Sequence, residues 1–278
     1  MKKWGKRAII FVCIVLAYAG FKRLSHEAEK NAKAIGVLEV EGTMWFSDDW
    51  LEQIEKLRKD PRVKAVVVRI QSPGGTVASA EEIYTALQNL SKTKPVVASM
   101  GTIAASGGLY VAMGANKIMA DRGTITGSIG VRMEHINIED LLKFLKIQYE
   151  TIKSGQFKDM AAFNRPLGTE ERALLDDMMK EIHLQFKQVV ATSRNIPLEK
   201  VDGFADGRIF SGAKAKELGL VDAIGNFNDA VALAANLAKI SGEPELIYPK
   251  EKKWSLIRGL MGTTRAAISG PLACFMYP

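Results

Sequence analysis

The stretch VKAVVVRI at 63–70 constrains this chain more than any other. A run of valine and isoleucine without polar alternation has no face to offer water, as expected of a parallel strand covered on both sides. A sheet built on such a strand needs helices to cover it, and the flanking sequence supplies them. Upstream, AIGVLEVEG (34–42) reads as a strand and SDDWLEQIEKLRKD (47–60) as a helix. Ser47 suits the cap, Asp48 and Asp49 suit the first turn, Trp50, Ile54 and Leu57 share a face, and Pro61 ends the helix. Downstream come a turn at SPGGTV (72–77), a helix at ASAEEIYTALQNL (78–90) and a strand at KPVVASM (94–100). A helix of small residues at AASGGLYVAMGA (104–115) and a short strand at NKIMA (116–120) follow. Then come EDLLKFL (139–145), IQYETI (147–152), a long helix over 169–194 capped by Thr169, and SGAKAKELG (211–219). Strands alternating with helices predict an α/β fold with a mostly parallel sheet. The α/β core shows no internal repeat.

Charge and cysteine content narrow the function classes. The chain has 278 residues, 47% of them hydrophobic and 25% charged, as expected of one or two globular domains. Cys13 lies in the first apolar run and Cys274 close to the C-terminus, so neither a disulfide framework nor a zinc cluster is expected. The net charge is +7, but the excess is clustered. Lys2, Lys3, Lys6, Arg7, Lys22 and Arg23 flank the first apolar run, and Lys250, Lys252, Lys253, Arg258 and Arg265 lie near the end. The middle of the chain is close to balance, which favours charge at a membrane surface over a nucleic-acid partner.

That apolar run, AIIFVCIVLAYAGF (8–21), is shorter than the about 20 residues of a membrane span. A helix from Trp4 to Phe21 crosses if the basic residues at its ends snorkel. More positive charge precedes the run than follows it, which puts the N-terminus in the cytoplasm and the body outside. AYAG (17–20) resembles a small-residue cleavage site, so a cleaved signal is the alternative. Five segments are expected: a cytoplasmic basic segment at 1–7, a signal-anchor at 8–23, a polar stalk at 24–33, the α/β domain at 34–240, and a surface tail at 241–278.

Two glycine-bearing turns follow buried-type strands. Glycines in QSPGG (71–75) allow a sharp turn and expose N–H groups that can hold an anion. No Gly-Lys-Ser/Thr follows, so the turn is not a P-loop, and SPGG alone is more often a plain turn. In MGTIAASGG (100–108), Ser106 stands where a strand meets a helix, either as a nucleophile or as a packing or capping residue. Of the three histidines, His26 is in the stalk and His183 is inside the long helix. His135 is the nearest candidate base, with a capping or surface role equally open. A desolvated lysine is the other candidate, and ETIKSGQFKDMAAF (150–163) offers Lys153 and Lys158.

Taken together, SPGG (72–75), SMGTIAASGGLYVAMGA (99–115), TITGSIGV (124–131), YETIKSGQFKDM (149–160) and FADGRIFSGAKAKELGLVD (204–222) resemble the signal peptide peptidase A family. These are serine proteases of the Clp/crotonase-like superfamily. The resemblance runs from Ala34 to Gly225 and matches the short, single-core form. It implies a repeated β-β-α core, Ser106 as nucleophile, Lys158 as general base and Ser128 as the residue orienting the lysine amine. Backbone N–H groups of Gly74 or Gly75 and of Gly107 would form the oxyanion hole, and Gly155 would shape the turn presenting Lys158. Leu109 stands where the family often has tyrosine, and KDMAAFNR lacks a proline common after the lysine. The resemblance further implies hydrophobic peptide substrates, chiefly cleaved signal peptides, and no metal, nucleotide or other cofactor. It implies a homo-oligomeric ring of about eight subunits with the lysine reaching a neighbour's serine. A crotonase-type acyl-thioester enzyme and a non-catalytic membrane scaffold are the alternatives.

Overall fold

The computed structural model describes residues 33–249 and 274–276. The basic segment 1–7, the anchor at 8–23 and almost all of the stalk lie outside the described residues. No helix among the described residues is long and apolar enough to cross a membrane.

The strand at the heart of the sheet is the valine run. β2 (Val63–Ser72) pairs in parallel with β1 (Ala34–Glu41) on one side and with β4 (Val96–Ala105) on the other. Val66, Val68 and Ile70 join a cluster with Leu38 and Val40. Ile54 and Leu57 of helix α1 (Asp48–Lys59) and Ile83 and Leu87 of helix α2 (Val77–Ser91) close that side. Ala65 and Val67 face the other way, against Ile35, Val97 and Ala230, Ala234 and Ala235 of helix α8 (Phe227–Leu237). Burial on both faces is the physical reason for the unbroken apolar run.

β4 forks the sheet. Its first half pairs in parallel with β5 (Lys117–Ala120) and its second half with β6 (Ile125–Gly127). β7 (Ile209–Ser211) runs antiparallel to β6, β8 (Ala223–Ile224) lies beside β5, and β9 (Glu245–Ile247) lies beside β1. The main path is β7-β6-β4-β2-β1-β9. A separate pair joins β3 (Gly74–Thr76) to β10 (Cys274–Met276) in antiparallel register. The remaining helices are α3 (Gly107–Ala112), α4 (Glu139–Phe144), α5 (Thr169–Arg194), α6 (Leu198–Asp202) and α7 (Gly212–Glu217).

Several local expectations change. Ala104 and Ala105 belong to β4 because β6 pairs with them, and the small-residue helix starts only at Gly107. The glycines of SPGG do not end in a free turn. Met44 N donates to Gly74 O and Thr76 N to Met44 O, both at 2.9 Å, which draws Gly74–Thr76 out as a strand. Ser47 holds the N-cap position of α1 as expected, but its hydroxyl donates to the Glu82 carboxylate instead of accepting from the first turn. Gly168, not Thr169, precedes α5, and its N–H donates to Glu171 Oε2 at 2.9 Å. Residues 147–152 form no regular element. The segment 241–278, read from sequence as a tail, contributes β9 and β10.

Candidate active site

β4, an interior strand between β2 and β6, delivers Ser106 at its C-terminal end. The strand stops at Ala105, Ser106 turns to φ 53 and ψ −116, and α3 starts at the next residue. Positive φ is uncommon for a residue with a Cβ, and holding one costs roughly 1–3 kcal/mol. Ser106 is 1% exposed, yet its Oγ has no hydrogen-bond partner among the described residues. A buried unpaired hydroxyl costs a further ~1–3 kcal/mol. Two unfavourable features coincide on one residue, as happens where a site is kept for reaction rather than for packing. The conformation is held by Ser106 N donating to Gly127 O and Tyr110 N donating to Ser106 O, each at 2.9 Å. Tyr110 is wedged between Tyr84 and Phe186 in the core. Leu109 is fully buried, so it is a packing residue of the same core.

Ser128 reaches the same place by the same device. β6 ends at Gly127, which pairs with Ala105, so each serine directly follows one member of a cross-strand pair. Ser128 is also at positive φ (52), is 7% exposed, and its N–H donates to Arg208 O at 2.8 Å. Neighbouring strands lie about 4.8 Å apart, so the two serines emerge side by side. Thr126 Oγ1 donates to Ala104 O at 2.7 Å and fastens the two strand ends together.

The glycines close the third side. A Cβ on Gly107 would lie 3.1 Å from Gly74 Cα and 3.2 Å from Gly75 N, so the two turns touch. A Cβ on Gly75 would lie 2.1 Å from Met44 O, which leaves no room for any other residue. Gly74 is at φ 116, and its N–H donates to Ser72 Oγ at 3.1 Å. Thr76 N points at Met44; along a strand successive N–H groups alternate, so Gly75 N–H points to the opposite edge. That edge is where β10 runs, with Phe275 opposite Gly75. Gly107 is in the first turn of α3, where an N–H has no intrahelical acceptor.

The candidate bases are spread differently. Lys158 sits in a turn closed by Lys158 N donating to Gly155 O at 3.3 Å, with Gly155 at φ 92. Its side chain is exposed and makes no hydrogen bond or ion pair among the described residues, so it does not reach Ser106 of its own chain. Lys153 donates to the Asp159 carboxylate and to Gln156 O. His135 Nε2 is 3.0 Å from Ala162 O and His183 Nε2 is 3.2 Å from Ile129 O, and neither bonds to Ser106. His26 lies outside the described residues.

Three residues of this region were absent from the sequence reading. Arg165 grips Glu171 with two N–H groups at 2.8 and 2.5 Å and also bonds to Asp159. Its guanidinium, helped by Gly168 N–H, holds the Glu171 carboxyl at a pKa of about 2. Lys153 and then Arg165 do the same for Asp159, also to about 2. Glutamate at the third position of a helix was the available signal for Glu171. Nothing local marks its partner Arg165.

The profile of Peptidase family S49 matches residues 88–241, a span that holds Ser106, Ser128 and Lys158. The chain belongs to peptidase family S49. A Clp protease profile matches residues 31–122, in accord with the mostly parallel α/β sheet. The Synechocystis protein named "Putative protease slr0021" is 46% identical over 207 residues, covering 74% of this chain and 75% of its own. "Serine protease SPPA, chloroplastic" of Arabidopsis thaliana is 35% identical over 223 residues, 80% of this chain but 32% of the relative. "Protease 4" of Salmonella typhi is 37% identical over 194 residues, 69% of this chain and 31% of the relative. This S49 chain thus spans about a third of the two longer relatives. Family membership makes it a serine protease of the signal peptide peptidase A group.

Proposed function

We propose that the protein is a membrane-anchored serine endopeptidase that hydrolyses hydrophobic peptides, cleaved signal peptides among them, with a Ser106–Lys158 dyad. The observation that carries the reading is the strained, buried and unpartnered Ser106 hydroxyl beside Ser128 and two glycine turns. Neutral Lys158 takes the Ser106 proton as Oγ attacks the peptide carbonyl. The tetrahedral oxyanion is held by Gly107 N–H and by a backbone N–H of the Gly74–Gly75 turn that packs against it. Lys158 then protonates the leaving amine, and water releases the acyl-enzyme. Ser128 accepts from or donates to the lysine amine and aims it. The antiparallel pairing of β10 with β3 supports the mode of substrate binding: an extended peptide added beside Gly74–Thr76. The sheet is read as a Clp/crotonase-like repeat of β-β-α units, and residues 8–23 as the anchor.

In this reading the base comes from a second copy. Ser106 Oγ has no partner among the described residues, and Lys158 is exposed. The segment before it carries a series of exposed apolar side chains, including Ile136, Phe144 and Ile152 at 71, 83 and 94% exposure. Such a surface suits contact with a copy of the chain in a ring of about eight. A crossed dyad has a distinctive signature. Ser106→Ala and Lys158→Ala each inactivate the homo-oligomer, while His135→Ala keeps activity on a fluorogenic peptide. Mixing the two dead variants before assembly restores about one quarter of the sites in a random ring. No recovery in mixed assemblies of confirmed composition would refute the crossed arrangement, and full activity of Lys158→Ala would refute the dyad.

A further inference from the structure

The turn that carries Lys158 is weakly held by its own backbone. Its hydrogen bonds, from Lys158 N, Met160 N and Ala162 N, are 3.3, 3.1 and 3.1 Å long, and Gly155 and Ala161 both stand at positive φ. Residues 151–156 are exposed. Misplacing a reacting group by about 1 Å can cost a hundredfold in rate, so such a turn needs an external brace.

One guanidinium supplies it. Arg165 Nη2 donates to the main-chain oxygen of Asp159, the residue after Lys158, at 3.0 Å, and its Nε reaches the Asp159 carboxylate at 3.3 Å. The same side chain forks onto Glu171. Glu171 lies in the first turn of α5, is 7% exposed, and also accepts Gly168 N–H. α5 is locked into the core by Phe186 and Val190, both fully buried. The upstream limb of the turn is tied in as well: Lys153 bonds to Gln156 O and Asp159, and Gln156 Nε2 reaches Glu170 Oε2 at 3.0 Å. A lone surface ion pair contributes little, but a bidentate pair within a network that also grips the backbone fixes geometry.

We propose that Arg165, clamped on Glu171 and on the Asp159 backbone, is a positioning residue that registers the Lys158 turn against α5 for proton transfer. The proposal rests on the reading of Lys158 as the general base. The full chain in detergent micelles is assayed on a peptide substrate, with assembly size and melting temperature followed for every variant. Arg165→Ala is expected to lower kcat by about 10- to 100-fold with KM nearly unchanged, and millimolar guanidinium is expected to restore part of the loss. Arg165→Lys keeps the charge without the fork and falls between the two. Lys158→Ala is inactive and is not rescued by guanidinium. Parental kcat in Arg165→Ala beside an inactive Lys158→Ala overturns the positioning role alone. Full activity of Lys158→Ala overturns the base assignment, and the positioning role with it. A folded Arg165→Ala that loses activity only through KM, or shows no guanidinium rescue, also overturns the proposal. If Arg165→Ala does not fold, Arg165→Lys and Asp159→Asn carry the test, and parental kcat in both refutes it.

Discussion

Replacing Ser106 by glycine should give a more stable protein than replacing it by alanine, although both variants are inactive. Both substitutions delete the unpartnered Oγ, so that contribution cancels in the comparison. What differs is the backbone at φ 53, which alanine must hold with a Cβ and glycine holds freely. The strain is roughly 1–3 kcal/mol. Against it stands the greater entropy of glycine in the unfolded chain, about 0.5–1 kcal/mol. At the middle of both ranges the net advantage of Ser106→Gly over Ser106→Ala is about 1.2 kcal/mol. For a domain of this size each kcal/mol moves the melting temperature by roughly 2–4 °C, so the gap should be about 2–5 °C. Differential scanning fluorimetry on assemblies matched in size reads it directly, and neither variant can digest itself during the scan. An alanine variant that melts at or above the glycine variant would show that Ser106 is an unstrained packing residue. The argument for a residue held ready for reaction would then fail.

Two further predictions follow from the geometry. Gly107→Ala places a methyl 3.1–3.2 Å from Gly74 Cα and Gly75 N and 2.9 Å from the flexible end of Met44. The chain should fold with the glycine turns pushed a few tenths of an ångström apart, and kcat should drop by tenfold to about 10³, the scale of a lost oxyanion donor. Steady-state kinetics at parental kcat would remove Gly107 from the oxyanion hole. Asp222 offers a pH test far from the site. Burial pushes its carboxyl up, but Arg194 at 2.9 Å, Ile118 N–H at 2.8 Å and Lys117 outweigh burial and leave it below the ordinary value. A lowered folded pKa means stability present in full above about pH 5 and lost as pH falls through the folded value. Asp222→Asn should thus be less stable than the parent at neutral pH, with the difference shrinking in acid; urea melts that show the same gap throughout would contradict the assignment.

The sequence by itself determined the elements whose evidence is local. The valine run, the amphipathic faces of α1 and α2 and the long α5 were all legible, because burial of one or both faces writes its period into the chain. Ser106, Ser128 and Lys158 were nominated through motifs that resemble a family, which names the residues without bringing them together. Only the tertiary structure decided how far β4 runs, since Ala104 and Ala105 extend because β6 lies beside them. It alone made a strand of Gly74–Thr76, through Met44, and drew Cys274–Met276 against it. It alone turned Ser106 and Ser128 into adjacent residues at positive φ and hung the Lys158 turn on Arg165 and Glu171. In each case the deciding partner lies far away in sequence or carries no periodic signal. A strand end, an unpaired hydroxyl and a strained backbone exist only once the neighbouring strand is in place. For that reason the sequence could nominate the serine, while the fold shows the conformation in which it is held.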